Sequence, residues 1–310
     1  MKIKFCIIGL ILLFSIQLFS QENTNQKKVF TYKTIAGHEI KANIFLPEIE
    51  GPHPVVIYFH GGGFIFGNRD QGLNNILKDK LLAADYAVIS ADYRLAPETK
   101  LEEILIDVKD IIKWVRSNGR QKFNIDINKI VTIGGSAGGY LALSSGFYKD
   151  SAPNGIIAIS TPTGFSTTNI QTGNPVLLNL PGPYSIVKNN TIVSYGDYDK
   201  RMSLWRFLAK NRLALYEVFG FDPAKEPGKL EQFTLTNNIK DEYPPTLIIH
   251  AKNDRLVDLQ QAKVLHEFLK NHNLKSKLYV VENGHSSRLI NQNPDAVDEI
   301  ITFLDTLFKR

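Results

Sequence analysis

A serine framed by glycines, Gly134-Gly135-Ser136-Ala137-Gly138-Gly139, follows the apolar run Ile130 to Ile133 and opens a helix-compatible stretch, Tyr140 to Phe147. A serine raised on a sharp strand-to-helix turn is exposed as a nucleophile, and the crowding of that turn demands small residues two before and two after it. Gly134 and Gly138 meet that demand. Upstream, His60-Gly61-Gly62-Gly63-Phe64 comes directly after Val55-Val56-Ile57-Tyr58-Phe59, which reads as a buried strand. Three successive glycines leave backbone N–H groups uncovered. Acyl transfer needs such donors at the oxygen that turns negative, and deleting one typically costs about 3–4 kcal/mol of transition-state stabilisation. A plain tight turn accounts for one or two glycines but not for two such motifs in this order.

A serine nucleophile of this kind needs an acid and then a histidine further along the chain. Thr246-Leu247-Ile248-Ile249-His250, entered from Pro244-Pro245, reads as a strand running into Ala251-Lys252-Asn253-Asp254, so Asp254 falls in the loop at its C-terminal end. That end is where an open α/β sheet gathers its ligand-binding loops. Lys277 to Val281 is the next strand, and Glu282-Asn283-Gly284-His285-Ser286 puts His285 in the matching loop. Histidine is the side chain suited to act as a base at neutral pH. Of the seven histidines, His38 and His53 precede the glycine loop, and His266 and His272 belong to a helical pattern from Leu259 to Leu274. His60 reads as a brace for the glycine loop and His250 as a core histidine. Asp258, the rival acid, starts the next helix, where unpaired N–H groups favour an acidic residue.

These residues, with Asp92-Tyr93-Arg94-Leu95-Ala96-Pro97-Glu98, Asp126, Lys129-Ile130, Asp254 through Val257 and Gly284-His285, resemble the α/β-hydrolases of the hormone-sensitive-lipase-like and carbohydrate-esterase-like groups, the latter including acetyl and feruloyl esterases. The resemblance runs from about residue 29 to 307. It implies Ser136 as nucleophile, His285 as base, Asp254 as orienting acid, and the N–H groups of Gly62, Gly63 and Ala137 as the oxyanion hole. It implies neither cofactor nor metal. The stretch Asp92 to Glu98 is expected to buttress the site. Lipase-like members usually carry an acidic residue before the nucleophile and an N-terminal cap. Here that position is Gly135, and residues 28–46 read instead as paired strands around Ala36-Gly37-His38, a layout closer to the carbohydrate-esterase-like group.

The elements that must position this chemistry alternate as a mostly parallel sheet requires. Ala87 to Ser90, Ile130 to Ile133, Gly155 to Ser160, Leu247 to His250 and Lys277 to Val281 are strand-like, and helical stripes lie between them, as in Leu105, Val108, Ile111, Ile112 and Val115. The expected fold is therefore α/β, with helices on both faces. The interval between Ser160 and Thr246 is far longer than one crossover needs and holds Pro162, Pro175, Pro181 and Pro183, a helix-like run from Met202 to Phe219 and many aromatics. We expect residues 161–243 to form an inserted cap.

Met1-Lys2-Ile3-Lys4, the apolar Phe5 to Phe14 and Phe19-Ser20-Gln21 make a secretory signal pattern over residues 1–20, too short to span a bilayer as a stable anchor. Residues 21–310 then form the hydrolase domain, exported to a bacterial periplasm or beyond. Cys6, the single cysteine, falls inside the leader, and oxidising compartments permit disulfides without demanding them. A formal charge of +5 over 310 residues, with no basic stripe interleaved with aromatics, does not indicate nucleic acid. The expected substrate is a small-molecule or carbohydrate ester. The same triad serves an amidase, a peptidase or a kynurenine-formamidase-like hydrolase. A non-catalytic binding module on a hydrolase fold is the reading from another class.

Overall fold

The computed structural model describes residues 27–165 and 198–309. Eight strands form one sheet: β1 (Lys28–Ile35), β2 (His38–Phe45), β3 (His53–Phe59), β4 (Ala87–Ala91), β5 (Ile125–Gly135), β6 (Gly155–Ile159), β7 (Thr246–Ala251) and β8 (Ser276–Val281), in the spatial order β1-β2-β4-β3-β5-β6-β7-β8. The pairs β1/β2 and β2/β4 are antiparallel and the rest are parallel. The described helices are α1 (Asn75–Ala83), α2 (Leu101–Phe123), α3 (Ala137–Ser144), α4 (Tyr198–Lys210), α5 (Ala214–Phe219), α6 (Leu235–Asn238), α7 (Leu259–Asn271), α8 (Ser287–Gln292) and α9 (Asp295–Phe308).

Alternation along the central strands divides the core in two. Val55, Ile57 and Phe59 of β3 join one apolar layer with Val108 of α2, Leu141 of α3 and Leu265 of α7. Val56 and Tyr58 join the other with Leu81 of α1, Leu289 of α8 and Val297 of α9. Because β3 is buried along its whole length, it has no polar face, as expected of a parallel strand covered on both sides.

The sequence-predicted hairpin appears as β1 and β2 about Ala36-Gly37. The helix expected over Met202 to Phe219 is instead two helices, α4 and α5, separated where Arg212 takes φ +61. Three successive carbonyls accept there, Phe207 O from Asn211 N–H at 3.1 Å, Ala209 O from Arg212 N–H at 3.1 Å and Leu208 O from Leu213 N–H at 2.8 Å. The strand expected to end at Ser160 ends at Ile159: the Ser160 N–H still bonds the Ile249 carbonyl of β7 at 2.9 Å, but its φ of +50 turns the chain off the strand. Residues 1–20, read as a leader, and 166–197, read as part of the cap, lie outside the described residues. Among the described residues no helix is long and apolar enough to cross a membrane.

Candidate active site

The parallel strands end together on one side of the sheet, and the four motifs hang from those ends. The glycine loop follows β3, Ser136 follows β5, Asp254 follows β7 and His285 follows β8. Ser136 has φ +56 and ψ −123, a conformation that L residues rarely adopt and that the surroundings must enforce. They do so by close approach. A Cβ on Gly138 would stand 2.0 Å from the Phe59 carbonyl oxygen, so only glycine lets the first turn of α3 press against the end of β3. The Ser136 N–H bonds the Ile159 carbonyl at 2.9 Å, and the Ser136 carbonyl receives the N–H groups of Gly139 and Tyr140 at 3.0 and 3.2 Å. Ala137 thus opens a helix whose N-terminal N–H groups and dipole favour negative charge beside the serine.

His285 Nδ1 lies 2.7 Å from Asp254 Oδ2. A carboxylate only accepts, so Nδ1 carries the ring proton and Nε2 is left as the acceptor in the neutral imidazole. The other oxygen, Oδ1, takes the N–H groups of Leu256 at 2.9 Å and Val257 at 3.1 Å. Burial pushes the Asp254 carboxyl up, but the His285 bond and these two backbone donors outweigh it and hold the group below the ordinary carboxylate range. Asp258 is not part of this arrangement: it caps α7 through Gln260 N–H at 2.8 Å. His250 is fully buried behind the acid, where Nε2 donates to the Val257 carbonyl at 2.9 Å and so closes the loop that carries Asp254.

Ser136, His285 and the loop from His60 to Gly63 line one cavity of about 400 Å³. Gly62 and Gly63 adopt φ +118 and +60. The Gly62 carbonyl is bonded by Ile65 N–H at 3.0 Å and Phe66 N–H at 3.1 Å, which folds the loop back on itself. His60 is a brace. Its ring stacks on Tyr93 at 4.2 Å, Nδ1 donates to the Gly61 carbonyl at 2.7 Å, and burial pulls its pKa down to about 4, so it is neutral at ordinary pH.

The stretch Asp92 to Glu98 buttresses the loop as expected, through specific partners. Asp92 accepts the Arg69 N–H at 2.7 Å and also pairs with its guanidinium. Tyr93 Oη donates to the His60 carbonyl at 2.8 Å. Arg94 grips Asp107 with Nε and Nη2 at 2.8 and 2.9 Å.

Several contributors have no signature in the sequence. Arg201 of α4 is buried and donates to the Ile65 carbonyl at 2.9 Å, to the Ala96 carbonyl at 3.3 Å and to Glu98 Oε1 at 2.9 Å. Its helix places Trp205 against the glycine loop: a Cβ on Gly63 would stand 2.6 Å from the indole Nε1. Phe66, Tyr198 and Trp205 form an aromatic group in the cavity wall, with centroids 5.6 and 5.5 Å from Phe66. Ser286, beside the histidine, has φ +54 and fills the space next to Gly135, where an added Cβ would meet its Oγ at 2.1 Å. That contact accounts for the glycine, and so for the missing acidic residue, before Ser136: Ser286 occupies the room a side chain would need.

A doubly covered, mostly parallel sheet that carries a serine at a strained strand-to-helix turn, a following histidine–aspartate pair and a glycine loop defines the α/β-hydrolase class. The chain belongs to the BD-FAE family, whose model matches residues 42–269. The non-reducing polyketide synthase ausA of Emericella nidulans is 26% identical over 325 residues, which take in 84% of this chain and 13% of the synthase, so the chain spans about an eighth of that relative. A truncated carbohydrate esterase from gut microbiota superposes with a TM-score of 0.68 at 20% identity, over 91% of this chain and 97% of that one. The esterase 2 of Thermogutta terrifontis phosphonylated by sarin gives 0.64 at 19% identity, over 91% and 95%. At that identity the two structures speak for the fold.

Proposed function

We propose that the protein is a carboxylic ester hydrolase acting by two-step acyl transfer on an ester borne by a carbohydrate. The observation that carries the reading is the 2.7 Å bond between His285 and Asp254 on the cavity that also holds Ser136 and the glycine loop. In the first step His285 Nε2 takes the hydroxyl proton as Ser136 Oγ attacks the carbonyl carbon. The negative oxygen is held by the N–H groups of Gly62, Gly63 and Ala137, and collapse expels the alcohol, which receives the proton from Nε2. Water, deprotonated by the same nitrogen, then attacks the acyl-enzyme and releases the acid and Ser136. Asp254 keeps the imidazole in the required tautomer and stabilises its charged form without itself taking the proton. The carbohydrate assignment draws on the family and on the likeness to the gut carbohydrate esterase.

The test is turnover of p-nitrophenyl esters from acetate to decanoate, methyl ferulate and acetylated xylan by the protein and by Ser136→Ala, with each ester run beside its matched amide. The expected result is ester turnover that falls about 10⁶-fold in kcat in the variant. Preference for the amide would move the assignment to an amidase. Equal rates for protein and variant would remove Ser136 from the chemistry.

A further inference from the structure

A second groove, about 590 Å³, opens beside the catalytic cavity and shares Leu256 and His285 with it. Its wall mixes polar and apolar surface: Arg255 and Arg288 line it together with Leu256, Gly284 and the amides of Asn253, Asn283, Gln292 and Asn293. The carboxylates nearest in sequence are engaged elsewhere. Asp254 holds His285 and two backbone N–H groups. Glu282 is bonded by Lys252 at 3.0 Å and by Asn253 at 3.3 Å, and Asp258 caps α7. Both arginines are exposed, and among the described residues neither forms an ion pair. The amides are partly committed: Asn293 Nδ2 bonds the carbonyls of Asn283 and Leu289, each at 2.8 Å, which leaves its oxygen for a hydroxyl.

The place of the groove says which half of an ester enters it. His285 must hand its proton to the departing alcohol, so a groove bordered by His285 but by none of the glycine loop lies on the alcohol side. Amides suit sugar hydroxyls without charge. Two guanidinium groups suit a planar carboxylate, which they grip with paired N–H donors.

Resting on the esterase reading above, we infer that this groove binds a uronic acid, so that the substrate is an acyl ester on an oligosaccharide carrying a sugar carboxylate near the esterified hydroxyl.

Binding and turnover separate the two readings. Calorimetric titration of full-length Ser136→Ala with an acetylated oligosaccharide containing a uronic acid, and with the same compound after reduction of the carboxylate to an alcohol, needs no catalysis. The acidic form is expected to bind about tenfold more tightly at low salt, with the ratio shrinking as sodium chloride rises from about 0.05 to 0.5 M. Adding Arg255→Gln or Arg288→Gln should reduce the ratio about three- to fivefold each. Equal affinities for the two forms, or a ratio untouched by both arginine changes, overturns the groove assignment. Turnover of p-nitrophenyl acetate by the unaltered protein reports on the esterase reading alone, since that ester carries no sugar.

Discussion

Replacing Arg201 by methionine removes the fastening between α4 and the glycine loop while keeping the apolar stem. The Arg201 side chain is 4% exposed and that of its partner Glu98 14%. Burial already raises the Glu98 carboxyl, and Arg201 is the largest influence pulling it back. Arg201 bonds Oε1, and the buried Oε2 has no hydrogen-bond partner among the described residues. Without Arg201 the carboxylate is buried and uncompensated, and breaking such a pair costs about 3–5 kcal/mol. We take about 3 kcal/mol because Glu98 keeps some water, which corresponds to a fall in Tm of about 6–12 °C for a domain of this size. A group whose folded pKa lies above its unfolded value lends stability below the unfolded value and loses it as pH rises through the folded one. The deficit should therefore be full at pH 8 and shrink toward pH 5, where Glu98 takes up a proton. Thermal melts at both pH values check this, and Glu98→Gln combined with Arg201→Met should recover most of the loss at pH 8. Activity should fall in the single variant, because α4 also carries Trp205 to Gly63. A deficit identical at pH 5 and pH 8, with no recovery in the double variant, would refute the buried-pair reasoning.

Asp254→Asn should leave the fold intact and lower kcat about 10³–10⁴-fold, read from steady-state ester hydrolysis, because an amide permits the wrong imidazole tautomer. Gly135→Asp should lower kcat by about 10²-fold or more, since its Cβ would meet Ser286 Oγ at 2.1 Å and push the residue next to His285; adding Ser286→Gly, which suits φ +54, should return part of the activity. His60, with its pKa lowered to about 4, destabilises the fold as pH falls from about 6.5 because only the unfolded chain takes up its proton. The loss is about 2–3 kcal/mol by pH 4.5, and urea unfolding of His60→Phe should show that much less acid sensitivity than the parent protein.

What the residues disclosed in advance was local. Ser136, Asp254, His285 and the glycine loop each sit just after a short apolar strand, and a parallel sheet delivers all such loops to one side, so position along the chain translated into position in space. The hairpin of β1 and β2 and the α7 cap at Asp258 were legible for the same reason, since each depends on neighbours a few residues away. The contributors that were not legible are held by distant partners. Arg201 reaches Ile65 across 136 residues, and no spacing rule joins them. Ser286 and Ser160 take positive φ without being glycine, because the Ser286 N–H bonds Ser160 Oγ at 3.0 Å, an arrangement visible only once β6 and β8 are in register with β7. The break at Arg212 belongs to this class too, because arginine has no preference for the left-handed region.

Three buried or half-buried ion pairs, Arg69 with Asp92, Arg94 with Asp107 and Arg201 with Glu98, converge on the single stretch from Asp92 to Glu98. They are poor devices for stability, since well-packed apolar residues in such places are often as good or better. Their geometry has another use. A donor array for an oxyanion works only if it is already in place when the charge develops, and hydrogen-bonded ion pairs fix backbone direction more narrowly than apolar packing does. The three pairs hold the stretch from three directions: Arg69 from the segment after the glycine loop, Asp107 from α2, and Arg201 from α4. The stretch in turn holds the glycine loop, through Tyr93 on the His60 carbonyl at 2.8 Å and the Ala96 N–H on the Phe64 carbonyl at 2.8 Å. The Asp92 to Glu98 stretch thus has a geometric part to play: it fixes the backbone of the glycine loop through Tyr93 and Ala96.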